Sequence, residues 1–259
     1  PMTEEGSLNE EALRQVLEFN IQRGVHGFWV AGGTGESVLL TEEENNRISE
    51  ICADQGQGRV NNIMHVGANT TVQAARQAEY AARAGVQAIC AVPPFFYGAS
   101  DEDIVEYYRV VGAAADLPLF AYNLPSATGT EIDPPLMQKI QDGVPQLAGL
   151  KHSVANLSNL RAFARMGLAA FTGSCHWMLP AMTLGAVGAV DGGTCPGFVA
   201  ASWEVLLGLW RLGRSRPKPP TRAAGTSMRK RDRQIVAPGI RRPRFEEVRV
   251  AVVSGQRRL

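Results

Sequence analysis

The stretch Gln146-Leu147-Ala148-Gly149-Leu150-Lys151-His152-Ser153 is a short apolar run that ends in a lysine and small polar residues. Apolar runs of this length between turn residues are typical of buried β-strands. Lysine is seldom fully buried, so Lys151 has either a snorkelling side chain whose ammonium reaches water or a chemical role. An amine desolvated by apolar walls gives up its proton more easily and can then attack a carbonyl carbon. The rest of the chain has to decide between these two interpretations.

Short apolar segments alternate with helical segments along the first 210 residues. Strands are predicted at seven places, namely 27–31, 60–66, 88–92, 118–122, 147–151, 169–172 and 185–190. The spacing of apolar residues predicts helices at 8–23, 41–55, 70–84, 100–115, 134–142, 156–166, 176–184 and 197–210. Strict alternation of this kind predicts a parallel sheet whose strands are joined by helical crossovers.

Residues with capping chemistry mark the ends of several predicted helices. Ser7 is the predicted N-cap of the first helix. Thr41, with Glu44 three residues later, has the pattern of a capping box at the start of the second helix. Gly24 and Gly85 are predicted to end the first and third helices, since glycine is common just past a helix C-terminus.

The length of the chain and the character of its strands define the fold class. A chain of 259 residues fits either two small domains or one large α/β barrel. Strands that are apolar on both faces favour a closed barrel. Eight strands would be needed, and residues 1–7 have the character of a loop that follows a strand. We therefore predict an α/β fold, a (β/α)8 TIM barrel that lacks its first strand and its native C-terminal helices.

Charge divides the chain into two kinds of sequence. Residues 1–210 contain 11 lysines and arginines and 22 acidic residues, a net charge of −11, whereas residues 211–259 contain 15 and 3, a net charge of +12. We predict a barrel core at 1–210 and a basic, Pro/Arg-rich, poorly ordered tail at 211–259. The alternative, a nucleic-acid-binding arm, is weaker because the basic tail has no recognised module and no aromatic stacking platform.

The remaining composition excludes several classes of protein. The four cysteines have no paired spacing, which argues against a disulfide framework or a zinc site and favours reduced thiols. The four histidines have no metal-ligand spacing either, so we predict no metal site. No apolar run approaches the length of a membrane span, and the sequence opens with no signal-peptide pattern. We predict a cytoplasmic protein without a membrane partner.

Chemistry in an α/β barrel occurs at the rim formed by the carboxyl ends of the strands. The segments predicted at this rim are 32–36, 93–97, 173–176 and 191–194, together with Tyr122 and Lys151. Each has a simpler structural interpretation: the glycine-rich segment as a tight turn, Tyr122 as a core tyrosine, and Phe95-Phe96-Tyr97 as packing. Successive backbone N–H groups in such a turn can also hold a carboxylate. An amine, a phenol and an anion-binding turn on one rim favour a reactive site.

Three motifs carry a family resemblance, namely Gly33-Thr34-Gly35-Glu36, Tyr122-Asn123-Leu124-Pro125 and Gly149-Leu150-Lys151. In this order and spacing they resemble the dihydrodipicolinate synthase and N-acetylneuraminate lyase family of class I aldolases, over about residues 1–210. The resemblance implies a (β/α)8 barrel, usually tetrameric, that works without a metal or organic cofactor. It also implies a Schiff base, a covalent imine between the lysine of the family and pyruvate.

The resemblance assigns roles by position. Lys151 matches the Schiff-base lysine, and Tyr122 matches the tyrosine that transfers protons. The turn residues Gly33, Thr34 and Gly35 match the site of the pyruvate carboxylate. Val190 matches an apolar backbone contact near the keto acid. A neutral amine would attack the ketone, and the protonated imine would then act as an electron sink for making or breaking the adjacent C–C bond.

Several positions depart from the two best-known branches of the family. The synthases carry threonine, tyrosine and arginine where Gly33, Phe96 and Ala127 stand, so their hydroxyl relay and their carboxylate-binding guanidinium are missing. The sialic acid lyases tend to carry acidic residues where Cys175 and His176 stand.

The segment at 125–129 is nearer to that of aldolases acting on 2-keto-3-deoxy sugar acids or hydroxy-oxo acids. We therefore predict a lyase, a homo-oligomeric (dimeric or tetrameric) aldolase that joins pyruvate to an aldehyde or cleaves the product. Two alternatives remain: a 4-hydroxy-tetrahydrodipicolinate synthase, and an inactive or ligand-binding relic of the family.

Overall fold

The computed structural model describes residues 1–191. The strands are β1 (Gly27–Val30), β2 (Asn61–His65), β3 (Ala88–Ala91), β4 (Leu119–Asn123), β5 (Leu147–His152), β6 (Ala169–Thr172) and β7 (Gly188–Ala189). The helices are α1 (Glu10–Gln22), α2 (Glu42–Gly56), α3 (Thr71–Ala84), α4 (Asp101–Ala115), α5 (Pro125–Thr128), α6 (Pro134–Gly143), α7 (Leu157–Arg165) and α8 (Met178–Thr183). Short 3₁₀ turns occupy Ser37–Leu39 and Cys175–Trp177. The predicted helix at 197–210 and the basic segment at 211–259 lie outside the described residues.

All seven predicted strands are present and pair in one parallel sheet. The strands lie side by side in chain order, from β1 to β7. Each pair of neighbours is parallel, so the carboxyl ends of the strands meet at one edge, as the alternation of strands and helices predicted. This edge carries all the residues for which a chemical role was predicted.

The capping residues explain where several helices begin and end. Thr41 and Glu44 form the predicted capping box of α2, each side chain accepting a hydrogen bond from the other's backbone N–H. Gly85 ends α3 in the left-handed conformation, with φ at +89°. The prediction for Ser7 was wrong. The N-cap of α1 is Asn9, whose Oδ1 accepts from the Ala12 N–H at 3.0 Å, because the helix begins only at Glu10.

The two faces of the sheet are buried in different ways, as the period of two along a strand requires. The outward-facing residues pack under the helices in the larger apolar core, which includes Phe28, Ile89 and Leu150. The inward-facing residues form a second cluster inside the sheet. Its buried members are Trp29, Ile63, Ala88, Cys90, Phe120, Phe171 and Val190. Strands buried on both faces are typical of the barrel architecture that the sequence predicted.

One irregularity between β4 and β5 controls what reaches the rim. Leu119 is opposite Leu147, but the next residue, Phe120, is opposite Gly149, so β5 contains one extra residue at this point. Ala148 is that extra residue, and it packs against the inner cluster. A bulge of this kind changes which side chains share a face, because a shift of one residue reverses inside and outside.

The helices of the described part are between 4 and 15 residues long. Within residues 1–191, none of them is long and apolar enough to cross a membrane.

Candidate active site

Tyr122 and Lys151 are direct neighbours at the carboxyl ends of β4 and β5. The register of the two strands places their Cα atoms opposite each other, and both side chains are buried, with 4% and 6% exposed. Without the extra residue at Ala148, Tyr122 would be opposite Leu150, whose side chain belongs to the outer core. The bulge therefore brings the amine and the phenol together inside the sheet.

Aromatic rings surround the amino group of Lys151. Its Nζ atom lies 4.4 Å from the ring centroid of Tyr122 and 5.7 Å from that of Trp29. Trp29 in turn contacts the Phe120 and Phe171 rings edge-on, with centroids 5.8 and 6.1 Å away. Within residues 1–191, no carboxylate forms a salt bridge with this amine. The lysine is thus held in an apolar and aromatic setting that leaves its nitrogen available.

The predicted glycine-rich turn lies against the phenol of Tyr122. A Cβ atom built on Gly33 would be 3.4 Å from the Tyr122 hydroxyl oxygen, and one built on Gly32 would be 3.8 Å from its ring. Gly35 has no room for a side chain, since a Cβ there would be only 2.8 Å from the Cα atom of Ala31. The turn is therefore folded tightly enough to bring backbone groups, rather than side chains, up to the phenol.

Left-handed backbone conformations flank this turn. Ala31 and Glu36 have φ angles of +49° and +55°, which are uncommon for residues with a side chain. Residues held in such conformations occur where the surrounding structure demands a particular backbone path. Thr34 lies between them in the turn and is exposed. Alternation of backbone conformation within a short turn is the arrangement that aims successive N–H groups at an anion.

Val190 lies directly beyond β7 and belongs to the inner cluster. It is completely buried, and its N–H donates to the Thr172 carbonyl oxygen at 2.8 Å. Trp29, Phe120 and Phe171 belong to the same cluster. Val190 therefore lies among these rings on the inner face of the sheet, at the β7 end, whereas the glycine turn follows β1 at the other end of the strand order.

A buried polar network supports the rim behind the two reactive side chains. The Asn123 side chain accepts from the Ile132 N–H at 3.0 Å and donates to the Ile132 carbonyl at 2.9 Å. The same amide nitrogen lies 3.2 Å from Nδ1 of His152, whose Nε2 is 3.0 Å from the Asn156 carbonyl oxygen. The network fixes the loop that follows β4 to the end of β5, so the residues next to Tyr122 and Lys151 have little freedom to move.

The positions that depart from the known branches lie further out on the rim. Phe96 and Tyr97 are exposed, at 82% and 79%, and Phe96 has a positive φ of +79°. Ala127 is exposed on α5. The loop after β6 is anchored because the Cys175 N–H donates to Oδ2 of Asp191 at 2.6 Å. These residues are therefore more exposed than Lys151, which is buried on the inner face.

Two rim residues that the sequence analysis did not select are His65 and Cys90. Both are buried on the inner face, opposite each other in the β2–β3 register. Burial, helped by the charge of Lys151, lowers the pKa of His65 to about 4. Burial raises the pKa of the Cys90 thiol well above its ordinary value. Both groups are therefore neutral near pH 7. The sequence does contain a signal for His65. It lies two residues after Ile63 in the same strand, so the alternation of faces along a strand places both side chains on the same face.

Among residues 1–191, no three His, Cys, Asp or Glu side chains are grouped closely enough to hold a metal ion.

The described residues form a parallel sheet of seven strands with crossover helices, and a lysine lies beside a tyrosine at the carboxyl edge of this sheet. These features define an α/β-barrel protein with an amine at its rim. Comparison with known proteins gives the family. The Dihydrodipicolinate synthetase family matches residues 1–203. The chain belongs to this family, as the three sequence motifs predicted.

Individual relatives show both main branches. The 4-hydroxy-tetrahydrodipicolinate synthase of Methanothermobacter thermautotrophicus is 34% identical over 197 residues, which cover 74% of this chain and 70% of the relative. CdNal of Clostridium difficile, solved in complex with mannosamine, is 30% identical with a TM-score of 0.75, covering 82% of this chain and 74% of CdNal. YagE, a prophage protein from E. coli K12 solved in complex with pyruvate, is 25% identical with a TM-score of 0.74, covering 82% and 72%.

These likenesses confirm the predicted fold and the predicted family of lyases and aldolases. Residues 1–191 supply seven strands of a (β/α)8 TIM barrel. The chain spans about two thirds of the length of the curated relatives that it matches, between 65% and 70% for the first two.

Proposed function

We propose that this protein is a pyruvate-dependent class I aldolase in which Lys151 forms the imine. The observation that carries the proposal is the pairing of Lys151 with Tyr122 in the β4–β5 register, with the amine 4.4 Å from the phenol ring. Both groups are buried beside a tight turn that presents backbone rather than side chains. Pyruvate is the expected keto acid, since a family relative binds it in its solved structure.

The chemistry follows from these groups. The Lys151 amine, in its neutral form, adds to C2 of pyruvate to give a carbinolamine. The carbinolamine takes up a proton and loses water, which leaves a protonated imine, without any metal or organic cofactor. Removal of a C3 proton gives an enamine, whose carbon adds to the aldehyde carbon while the aldehyde oxygen takes up a proton. Hydrolysis of the imine releases the product and restores the amine. The reverse sequence cleaves the same C–C bond.

The remaining residues orient the substrate and move protons. The Tyr122 hydroxyl lies only 3.4 Å from the position of a Cβ atom on Gly33, so it is placed to pass a proton between the substrate oxygens. The backbone of Gly33, Thr34 and Gly35 would hold the pyruvate carboxylate by N–H donation. Val190 would contact the methyl side of the keto acid from the inner face of the sheet.

The direct test is to trap the imine with pyruvate and borohydride and map the modified peptide. Only four lysines are available, Lys139, Lys151, Lys218 and Lys230. Lys139 is the best internal control, because its pairs with Asp101 and Glu102 raise its pKa and keep it protonated. We expect the adduct on Lys151, and no adduct in Lys151→Ala. Equal labelling of Lys139, or no label in the wild-type protein, would sink the proposal.

A second experiment distinguishes the role of the Lys151 amine from that of the Tyr122 phenol. Tyr122→Phe should still be trapped by borohydride, because the nucleophile is intact. Turnover should fall by roughly 10²- to 10⁴-fold, the usual contribution of a positioned proton-transfer group. Steady-state rates and single-turnover trapping, measured on the same preparation, distinguish the two effects. Loss of trapping to the level of Lys151→Ala would instead mean that Tyr122 is needed for the imine itself.

The aldehyde partner is proposed to be neutral and hydroxylated. Ala127 offers no guanidinium to a second carboxylate, and it lies exposed on the rim helix α5. In a panel of aldehydes, aspartate semialdehyde should therefore be a poor acceptor. Ala127→Arg should improve an acceptor that carries a carboxylate by about 1.5–3 kcal/mol. Aspartate semialdehyde as the best wild-type acceptor would favour the alternative activity, that of a 4-hydroxy-tetrahydrodipicolinate synthase.

Assembly and location complete the proposal. We propose a homodimer or homotetramer acting in the cytoplasm, with pyruvate and an aldehyde as its partners. Sedimentation of the purified protein, with and without pyruvate, tests the assembly. The remaining alternative is an inert relic of the family. Trapping of pyruvate by the wild-type protein would rule this alternative out, and the absence of trapping would support it.

A further inference from the structure

His65 lies at the end of β2, inside the barrel, and has no step in the chemistry above. Its side chain is almost completely buried, with 3% exposed. A buried histidine usually needs partners for both ring nitrogens, because an unpaired polar atom in an apolar setting is costly. Both nitrogens of His65 have such partners, and each partner belongs to a different part of the rim.

The hydrogen bonds of the ring fix its tautomer. The backbone N–H of Val92, just beyond β3, donates to Nε2 at 3.4 Å. Since Nε2 is then an acceptor, the neutral ring carries its proton on Nδ1, which lies 3.1 Å from the Ser37 hydroxyl oxygen. The Ser37 carbonyl oxygen is held in turn by the Asn45 amide at 3.4 Å. One imidazole therefore connects the exit of β3 with the segment that follows the glycine turn.

The same ring packs against the phenol of Tyr122. Their centroids are 6.1 Å apart and the planes are nearly perpendicular, at 88°. The indole of Trp29 contacts Tyr122 in the same edge-on manner, also at 6.1 Å. Such edge-to-face contacts are favourable and limit the rotation of the ring. His65 and Trp29 thus restrict the plane in which the Tyr122 hydroxyl can move.

The imidazole of His65 occupies space that is open only because residue 67 is a glycine. A Cβ atom on Gly67 would lie 2.8 Å from Nε2 of His65 and 2.9 Å from the Val92 nitrogen. The hydrogen bond between those two groups runs past this glycine, so any side chain at position 67 would displace the ring or break the bond. The backbone here is shaped around His65.

We propose that His65 is a positioning residue that holds both the carboxylate-binding turn and the Tyr122 phenol in their working geometry. Through Ser37 it fixes the turn that ends two residues earlier at Gly35, and through ring contact it fixes the phenol. The role rests on the proposed aldolase function, because it concerns the two groups that serve the Lys151 imine. It predicts two separable defects, one in pyruvate binding and one in proton transfer.

Steady-state kinetics on four variants of the full-length protein separate these defects. Ser37→Ala, which loses only the turn contact, should raise the KM for pyruvate with little change in kcat. His65→Ala should raise KM and also lower kcat by about 10- to 100-fold, the range expected for a small misplacement of a reacting group. His65→Asn can still donate to Ser37 but has no ring, so it should restore KM and not kcat.

Tyr107→Phe is the matched control for a merely structural effect. Its hydroxyl accepts from the Ala68 N–H at 3.2 Å, close to the exit of β2 on the outer side of the sheet, so its removal costs stability without touching Tyr122. Both KM and kcat should stay at wild-type values in this variant. Wild-type kinetics in His65→Ala, or the same losses in Tyr107→Phe, would overturn the proposal. If His65→Ala does not fold, Ser37→Ala and His65→Asn decide it.

An NMR measurement distinguishes failure of this role from failure of the aldolase reaction. In ¹⁵N-histidine-labelled protein without substrate, His65 should carry its proton on Nδ1. In ¹³C-tyrosine-labelled protein, the Tyr122 ring signals should shift in His65→Asn and stay in place in Tyr107→Phe. A proton on Nε2, or unshifted Tyr122 signals, contradicts the proposal even in an active enzyme. If the wild-type protein traps no pyruvate, the aldolase function fails, and these spectra still decide the position of the ring.

Discussion

Lys139 lies on the outer surface of α6, whereas Lys151 lies on the inner face of β5. The Lys139 side chain is half exposed, and its Nζ atom is 2.9 Å from Asp101 and 3.4 Å from Glu102. The Lys151 side chain is 6% exposed, and its nearest described ring neighbours are those of Tyr122 and Trp29. The outer lysine, Lys139, is therefore paired with carboxylates, whereas the inner lysine, Lys151, is enclosed by aromatic rings.

The difference extends to the surroundings of each lysine. The outer helices carry exposed ion pairs, such as Arg47 with Glu10 and Arg59 with Glu18. The inner rim has neutral polar groups instead, His65 and Cys90, both kept uncharged by burial. A carboxylate beside an amine holds the proton on the nitrogen, which prevents attack on a carbonyl. The barrel thus separates charges that keep the surface hydrated from an amine that has to react.

The largest expected effect is on imine trapping, when Lys151 and Lys139 are replaced by methionine one at a time. Lys151→Met should lose all imine trapping, while Lys139→Met should trap pyruvate as the wild type does. Because methionine suits an aromatic pocket better than a buried amine, Lys151→Met should also be more stable, by about 0.5–2 kcal/mol. Urea unfolding monitored by circular dichroism measures this gain. A clear loss of stability in Lys151→Met would mean that the amine is a structural group.

Acid should weaken the inner rim before it weakens the outer helices. Since the pKa of His65 is lowered from about 6.5 to about 4 in the folded protein, the unfolded chain takes up this proton first as the pH falls. The stabilisation is complete above the unfolded pKa and is lost between these two values, by about 3 kcal/mol.

Urea unfolding measured across that range, for the wild type and His65→Gln, checks the expected acid effect. The variant should show a flatter dependence on pH, with a residual slope because burial also lowers the pKa of His152. The same slope in both proteins would show that the folded state binds a proton on His65 as readily as the unfolded chain does, which contradicts the lowered pKa.

The next effect compares two glycines that differ in their surroundings. A Cβ atom on Gly35 would meet the Ala31 backbone, which cannot move aside cheaply, whereas Gly98 has open space around it. Gly35→Ala should therefore lower the free energy of unfolding by about 1–3 kcal/mol, the usual cost of overpacking, and should weaken pyruvate binding.

Gly98→Ala, the matched control, should be neutral or slightly stabilising, because alanine reduces the freedom of the unfolded chain. Denaturant unfolding and pyruvate titration on both variants make the test. Equal behaviour of the two variants would contradict the tight turn at Gly35.

The smallest effect belongs to the outer ion pairs. Hydrogen bonds from Arg59, and then from Gln55, lower the pKa of Glu18 to about 2. Its stabilisation is therefore present above the ordinary carboxyl pKa and is lost as the pH falls toward 2. Glu18→Gln should shift the urea midpoint only slightly at neutral pH, since exposed pairs contribute little. Glu43→Gln, at another exposed position, is the control, and salt should reduce the difference between them.

The strands, the helices and the rim could be predicted from the sequence because they depend on local patterns. Largely apolar runs of four to seven residues predicted all seven strands, since most strand residues are buried on both faces of the sheet. The positions of Tyr122 and Lys151 at the ends of neighbouring strands followed from chain order and the parallel pairing. The prediction for Ser7 failed because two competing polar residues, Ser7 and Asn9, lie near the start of α1, and only the backbone decides which one caps it.

The contacts that complete the site depend on register and could not be predicted in this way. The extra residue at Ala148 puts Tyr122 opposite Lys151, and the local sequence of β5 does not mark it. The partners of His65 come from residues 28 positions before it and 27 positions after it. Long-range pairs of this kind appear only when the strands are assembled.

The β4–β5 register also has a consequence for changing the substrate. Tyr122 and Lys151 are held by sheet hydrogen bonds, whereas Phe96, Ala127 and His176 lie on exposed loops and short helices of the same rim. Loop residues can be exchanged with little effect on a strand register. A library restricted to those three loop positions would therefore sample new aldehydes while the machinery for the keto acid stays constant. In a directed-evolution experiment, the choice of aldehyde could then be changed without changing the residues that bind the keto acid.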